Sequence, residues 1–175
     1  MKICHLSSVH PRNDIRIFLK QCLSLKYAGY DVSYVVADGL GNDEVHNVKI
    51  FDVGKEKHRF YRIIFSSIKV VLKGIGLNAD VYHFHDPELA LFCLIYRLFG
   101  KKVIFDVHEN VAEQIHDKPW LGKFQKKILS RLFNTLNNFF AKTFYTIIAE
   151  NSYSSMYDKI NLNLPLTTIL NYPKL

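Results

Sequence analysis

The sequence predicts an α/β domain: a mostly parallel sheet with helices on both faces. Short apolar strand-like runs alternate with segments of helical periodicity, the pattern of successive βαβ units. At 175 residues and 49% hydrophobic content the chain matches one domain with a real core, and its composition is not that of a disordered segment. No internal repeat, low-complexity tract or linker interrupts it. No stretch reaches the roughly 18 apolar residues that a bilayer span needs.

Lys2 to Ser8 reads as the first strand. A helix follows from about Asp14 to Ala28, with Ile15, Phe18, Leu19, Cys22 and Leu25 at helical spacing. Asn13 or Asp14 suits its start, and Gly29 the position past its end. Asp31 to Ala37 is a strand closed by Asp38-Gly39, and Val48 to Val53 another. Arg59 to Leu72 is a strongly apolar helix. Asp80 to Phe84 is a strand, followed by a helix from Pro87 to Phe99 with proline in its first turn and Gly100 at its end. Val103 to Asp106 is a strand and Leu121 to about Lys142 a long helix. Thr146 to Ala149, Ser152 to Asp158 and Thr167 to Leu170 complete the pattern as strand, helix and strand. Asn171-Tyr172-Pro173 then follows a strand directly, as at a hinge where a longer chain continues.

Cys4, Cys22 and Cys93 are odd in number and form no C-x-x-C pair. They read as reduced thiols of a cytoplasmic protein, Cys4 and Cys22 within the core. Ile3 to Leu6 is too short for the apolar region of a secretory signal.

Three polar runs follow strands: His10 to Arg16, His85-Asp86-Pro87-Glu88, and Asp106-Val107-His108-Glu109-Asn110. Open α/β sheets bind ligands outside the carboxyl ends of their strands. The second and third runs, rich in His, Asp and Glu, therefore point to one shared site. His83 and His85 share a strand face with Asp86 beside them. The spacing departs from H-x-H-x-D, however, and no further His completes a set, so no metal is expected. His108 with Glu109 has the residue types of acid/base chemistry. The first run has two arginines and opens a helix, an arrangement suited to an anion. No G-x-G-x-x-G or Walker pattern accompanies it, which argues against dinucleotide binding. The alternative is that Asp14 caps the helix and Arg16 is a solvated surface residue.

The net charge of +7 implies an anionic partner. Lys118 to Ala149 contains no Asp or Glu. Its apolar residues, Leu121 through Phe140, cover about half a helical wheel at about 100° per residue, with basic residues on the other half and Trp120 at the start. A second acid-free run, Lys57 to Leu77, mixes Arg59, Arg62, Lys69 and Lys73 with Phe60, Tyr61 and Phe65. Basic amphipathic helices of this kind bind anionic membranes; a core-facing helix with a solvated basic face is the alternative. No nucleic-acid-binding motif is present, and no nucleic-acid partner is expected.

Three segments together resemble the N-terminal domain of a family 4 (group 1) glycosyltransferase of the GT-B type. They are His10-Pro11, Asp14 and Arg16-Ile17-Phe18 running on to Asp31-Val32; Asp80 to Leu89; and Lys102 to Glu109. Ile148 to Asn151 and then Asn171-Tyr172-Pro173 resemble the passage to a second domain. The resemblance implies a Rossmann-like fold, one half of a two-domain enzyme, spanning residues 1–175. It implies transfer of a sugar with retention of configuration, in surface-polysaccharide biosynthesis. The nucleotide-sugar donor would bind a C-terminal domain that carries a Glu, seven residues, Glu motif and lies outside this sequence. This domain would bind no cofactor, and alone it would be inactive. His108 matches the catalytic histidine of the cleft. His85, Asp86, Glu88, Glu109 and Asn110 would line the side of a glycan or lipid-linked acceptor, and His10, Asp14 and Arg16 a donor-side loop. That loop lacks the Gly-Gly turn of many members. Residues 118–142 would dock peripherally on the inner face of an anionic membrane. A free-standing Rossmann-like module binding an anionic or membrane-bound ligand without catalysis remains the alternative, and a metal-dependent hydrolase a third.

Overall fold

The structure, a computed structural model, describes residues 1–58, 61–157, 160 and 162–172. Two compact units divide it, Met1–Ile104 and Phe105–Leu175.

The first unit is a five-stranded sheet ordered β3-β4-β2-β1-β5. Its strands are β1 (Lys2–Leu6), β2 (Asp31–Val36), β3 (Asp43–Val45), β4 (Val48–Asp52) and β5 (Val81–Phe84). All pair in parallel except the β3–β4 hairpin. That hairpin was not expected from the sequence. Its turn places His46 at φ 50° and Asn47 at φ 60°, the double left-handed geometry of a tight hairpin, here made without the usual glycine.

Helix α1 begins as a wide π-helical segment, Ile15–Cys22, and continues as Leu23–Tyr27. Asp14 caps it, its carboxylate accepting from the Ile17 N–H at 2.8 Å. Gly29 follows at φ 87°, a left-handed turn that suits glycine. The buried side chains Ile17, Phe18 and Cys22 meet Val32, Tyr34, Val36 and Ile50 on one face of the sheet. In the β1–β2 register His5 aligns with Tyr34 and Leu6 with Val35, so Leu6 and Val35 point to the other face.

There α2 runs as Arg62–Ser66 and then Ser67–Leu77, five residues beyond the expected end. The expected start, Arg59 and Phe60, lies outside the described residues. Gly74 does not break the helix because it is a close-packing position. A Cβ there would run into the Tyr96 hydroxyl and approach Leu6 Cδ2 to 3.2 Å. The Tyr96 hydroxyl donates to the Val71 carbonyl at 2.8 Å and the Tyr82 hydroxyl to the Gly74 carbonyl at 3.0 Å. The two tyrosine rings stack with centroids 3.7 Å apart. Helix α3 starts with a 3-10 turn, Pro87–Leu89, and continues as Ala90–Leu98. All three cysteines are buried free thiols, as expected of Cys4 and Cys22.

Strand β6 (Lys102–Val107) crosses the boundary between the units. At its start the Lys102 N–H donates to the Asp80 carbonyl; at its end the Val107 carbonyl accepts from the Ala149 N–H at 3.0 Å. In the second unit α4 (Val111–His116) precedes α5 (Lys123–Thr143), β7 (Tyr145–Ile148), a 3-10 helix (Asn151–Met156) and β8 (Leu166–Thr168). β7 and β8 pair in parallel. The short α4 was not expected. Asn110 starts it, its side chain accepting from the Glu113 N–H at 3.3 Å. The expected helix Ser152 to Asp158 is a 3-10 turn, and Asp158 lies outside the described residues. The core of this unit gathers Phe140, Ala141, Phe144, Ile148 and Tyr157. The Phe140 and Phe144 rings stack at 5.9 Å.

Candidate functional site

In the first unit the chain leaves β1 toward β2 on one side and later returns through β5 on the other. The carboxyl ends of β1 and β5 therefore frame a topological switch point, where open α/β sheets hold their ligands. Two of the three polar runs meet there.

Asp86 organises the cluster. Its side chain is almost wholly buried, a position a carboxylate holds only when paired. Oδ2 accepts from the Ser7 hydroxyl at 2.8 Å and from the N–H groups of Ser8 at 2.6 Å and Val9 at 3.2 Å. Oδ1 lies 3.3 Å from His10 Nε2. On its other side, His10 Nδ1 lies 3.3 Å from Asp14 Oδ2. With a carboxylate facing each ring nitrogen, His10 donates in both contacts only when it carries both protons. Burial pushes the Asp14 carboxyl up, but hydrogen bonds from His10 and the Ile17 N–H, and the charge of His10, hold it down at about 2.

Glu88 forms the outer edge. Its Oε1 accepts from the Ser8 hydroxyl at 3.2 Å and lies 3.9 Å from Arg62 Nε. Burial and the neighbouring charge of Asp86 raise its carboxyl above the ordinary range, against the opposing Arg62 and Ser8 contacts. Such a carboxyl is a natural partner for a ligand hydroxyl.

Arg12 takes no part in the cluster. It forks onto Asp38, with Nε–Oδ2 and Nη2–Oδ1 both at 2.8 Å, and so ties the loop after β1 to the end of β2. That hydrogen-bonded pairing raises the Arg12 guanidinium and lowers the Asp38 carboxyl. Arg16 is buried rather than solvated.

His85 turns inward. Its Nε2 lies 3.0 Å from Nδ1 of His5, a residue the sequence reading passed over, and the rings stack at 5.3 Å. His83 stands beside both, at 4.7 Å from His5 and 4.5 Å from His85 between centroids. One donor atom from each of the three lies within 4.8 Å of the others, a donor set that zinc accepts. An ion held through His5 Nδ1 and His85 Nε2 would replace the hydrogen bond between them. The signal that could have found His5 is the β1–β5 register, which sets it opposite His83.

The third run lies in the second unit. His108 is half-buried, with Nδ1 3.2 Å from the Asp106 carbonyl. A carbonyl only accepts, so this bond assigns the proton to Nδ1. Glu109 accepts from Gln114 Nε2 at 3.3 Å, and Asn110 caps α4. Tyr153, also missed, sits near this loop. Its hydroxyl is raised by burial and by the charges of Glu150, Glu109 and Glu113.

A cavity of about 310 Å³ in the first unit, lined by Ile75, Asn78, Tyr82, Tyr96, Phe99 and Lys101, sits near the amino end of β5, away from the cluster. No helix among the described residues is long and apolar enough to cross a membrane.

No protein-family model matches the sequence, and no curated protein matches it significantly. Solved structures do match. Sucrose-phosphate synthase from Thermosynechococcus elongatus, a GT-B glycosyltransferase, aligns with a TM-score of 0.69 at 11% identity, over 97% of this chain and 48% of its own. The present chain thus spans about half the length of that enzyme. The likeness establishes the fold: a mostly parallel, Rossmann-like α/β domain like one half of a GT-B fold.

Proposed function

We propose that this chain is the acceptor-binding half of a retaining glycosyltransferase acting on a glycan or lipid-linked acceptor in surface-polysaccharide biosynthesis. The observation that carries the reading is the Asp86–His10–Glu88 cluster at the β1/β5 switch point of a domain with this fold. In the reaction the bond between the anomeric carbon and the donor's phosphate oxygen breaks. A bond to an acceptor hydroxyl oxygen forms, and the hydroxyl proton passes to the phosphate oxygen of the departing nucleotide. Glu88, raised and at the outer edge, would bind acceptor hydroxyls. Asp86 and His85 would act by holding the surrounding loops. His108 would approach the donor sugar, which a second domain binds. The site of action is the cytoplasm.

Reading the source gene past the codon for Leu175 tests this first. A continuation with a second strand–helix pattern and the Glu, seven residues, Glu motif is the expected result. A stop codon there overturns the enzyme reading and leaves a binding module.

A further inference from the structure

Helix α5 is turned the wrong way round for a helix that serves only its own core. The side chains it buries are Ser130, Asn137, Phe140 and Ala141. Asn137 is kept there by paired contacts with the Tyr157 hydroxyl at 3.2 and 3.3 Å. Meanwhile Phe124, Ile128, Leu129, Leu132, Leu136 and Phe139 are exposed, Phe124 at 75%, Leu132 at 54% and Phe139 at 51%. At about 100° per residue these six fall within one arc of roughly 140°. Folding of the second unit leaves this stripe exposed, and contiguous exposed apolar surface rimmed by polar residues marks an interaction site.

Charge identifies the occupant. Lys123, Lys127 and Arg131 repeat every fourth residue, in a row directly beside Phe124, Ile128 and Leu132. None of the three has a carboxylate partner among the described residues, and residues 118–149 contain no acid. Trp120, 69% exposed just before the helix, lies under Lys118 Nζ at 5.4 Å from its ring centre, the pairing of aromatic and cation found at membrane interfaces. A second copy of the chain packed antiparallel on this face would set one cationic row beside the other, and residues 118–149 of a second copy bring no acid to meet the row. An anionic lipid surface satisfies both parts, headgroups meeting the basic row and acyl chains the apolar arc.

We infer that α5 lies in the plane of an anionic membrane, with Phe124, Ile128, Leu132 and Phe139 inserted and Lys123, Lys127 and Arg131 on the headgroups. The inference does not rest on transfer activity. Its test is flotation of the full-length gene product with vesicles of phosphatidylcholine alone or of equimolar phosphatidylcholine and phosphatidylglycerol. Partitioning should favour the anionic vesicles at least about tenfold and weaken as salt is raised. Two triple variants should each lose about tenfold or more: Lys123→Gln with Lys127→Gln and Arg131→Gln, and Phe124→Ser with Ile128→Ser and Leu132→Ser. The charge variant leaves the apolar stripe intact and stands if the other fails to fold. No binding, equal binding to both vesicle types, or wild-type binding by the charge variant overturns the inference. So does a soluble dimer, seen by sedimentation velocity without vesicle binding and dispersed by the serine variant.

Discussion

The carboxyl ends of β1 and β5 and the long helix α5 distribute their groups in opposite senses. At the strand ends charged side chains are drawn inside: Asp86 is buried and accepts three hydrogen bonds shorter than 3.3 Å. On α5 large apolar side chains are left outside while Ser130 and Asn137 are buried. Both arrangements run against the ordinary sorting of apolar in and polar out. Surplus polarity at a strand-end crevice suits a polar ligand, and surplus apolarity beside a basic row suits an interface. Chain folding alone requires neither.

The comparison predicts unequal responses to substitution. On α5 the neighbouring rings Phe139 and Phe140 divide the two faces. Phe140→Ala should destabilise by about 3–5 kcal/mol and Phe139→Ala by less than about 1 kcal/mol, measured by urea unfolding. Equal losses would mean that the exposed stripe is part of the core. At the strand ends, Asp86→Ala should cost about 2–4 kcal/mol, because it strands the Ser8 and Val9 N–H groups and the Ser7 hydroxyl. A loss under about 0.5 kcal/mol would show that water replaces the carboxylate and that the cluster is not a built one.

The two acids flanking that cluster should respond to pH with opposite signs. Asp14 is depressed to about 2, below its unfolded value of about 3.9. Its contribution is therefore full above about pH 4 and lost as pH falls toward 2. Asp14→Asn should flatten that part of the stability curve; an unchanged acid limb would contradict the His10 contact. Glu88 is raised, so its ionisation opposes folding as pH rises through its folded value. Glu88→Gln should leave stability at neutral pH equal or slightly higher, and a clear loss there would overturn the assignment of a burdened carboxylate. This is the smallest of the expected effects.

The sheet and its main helices were legible because their periodicities differ, and Asp14 and Gly29 mark the ends of α1 by residue type. The β3–β4 hairpin was hidden because His46 and Asn47 adopt a left-handed turn without glycine. The far end of α2 was hidden because Gly74 looks like a stop until Tyr96 is seen packed against it. The polar runs were visible one by one. The second and third were expected to share a site; the meeting of the first run with the second, through His10 and Asp86, and of His5 with His85 was not foreseen, since it depends on which strands become neighbours. Arg16, read as part of an anion-binding loop or else as a solvated surface residue, is buried in the first turn of the π-helical segment.

The most direct test is nucleotide-sugar turnover by the full-length gene product with added glycan and lipid-linked acceptors, in the wild type and in His108→Ala. The account predicts acceptor-dependent donor consumption that falls by at least about 100-fold in the variant with an unchanged urea midpoint. Absence of turnover in the wild type, or equal turnover in the two proteins, would contradict it.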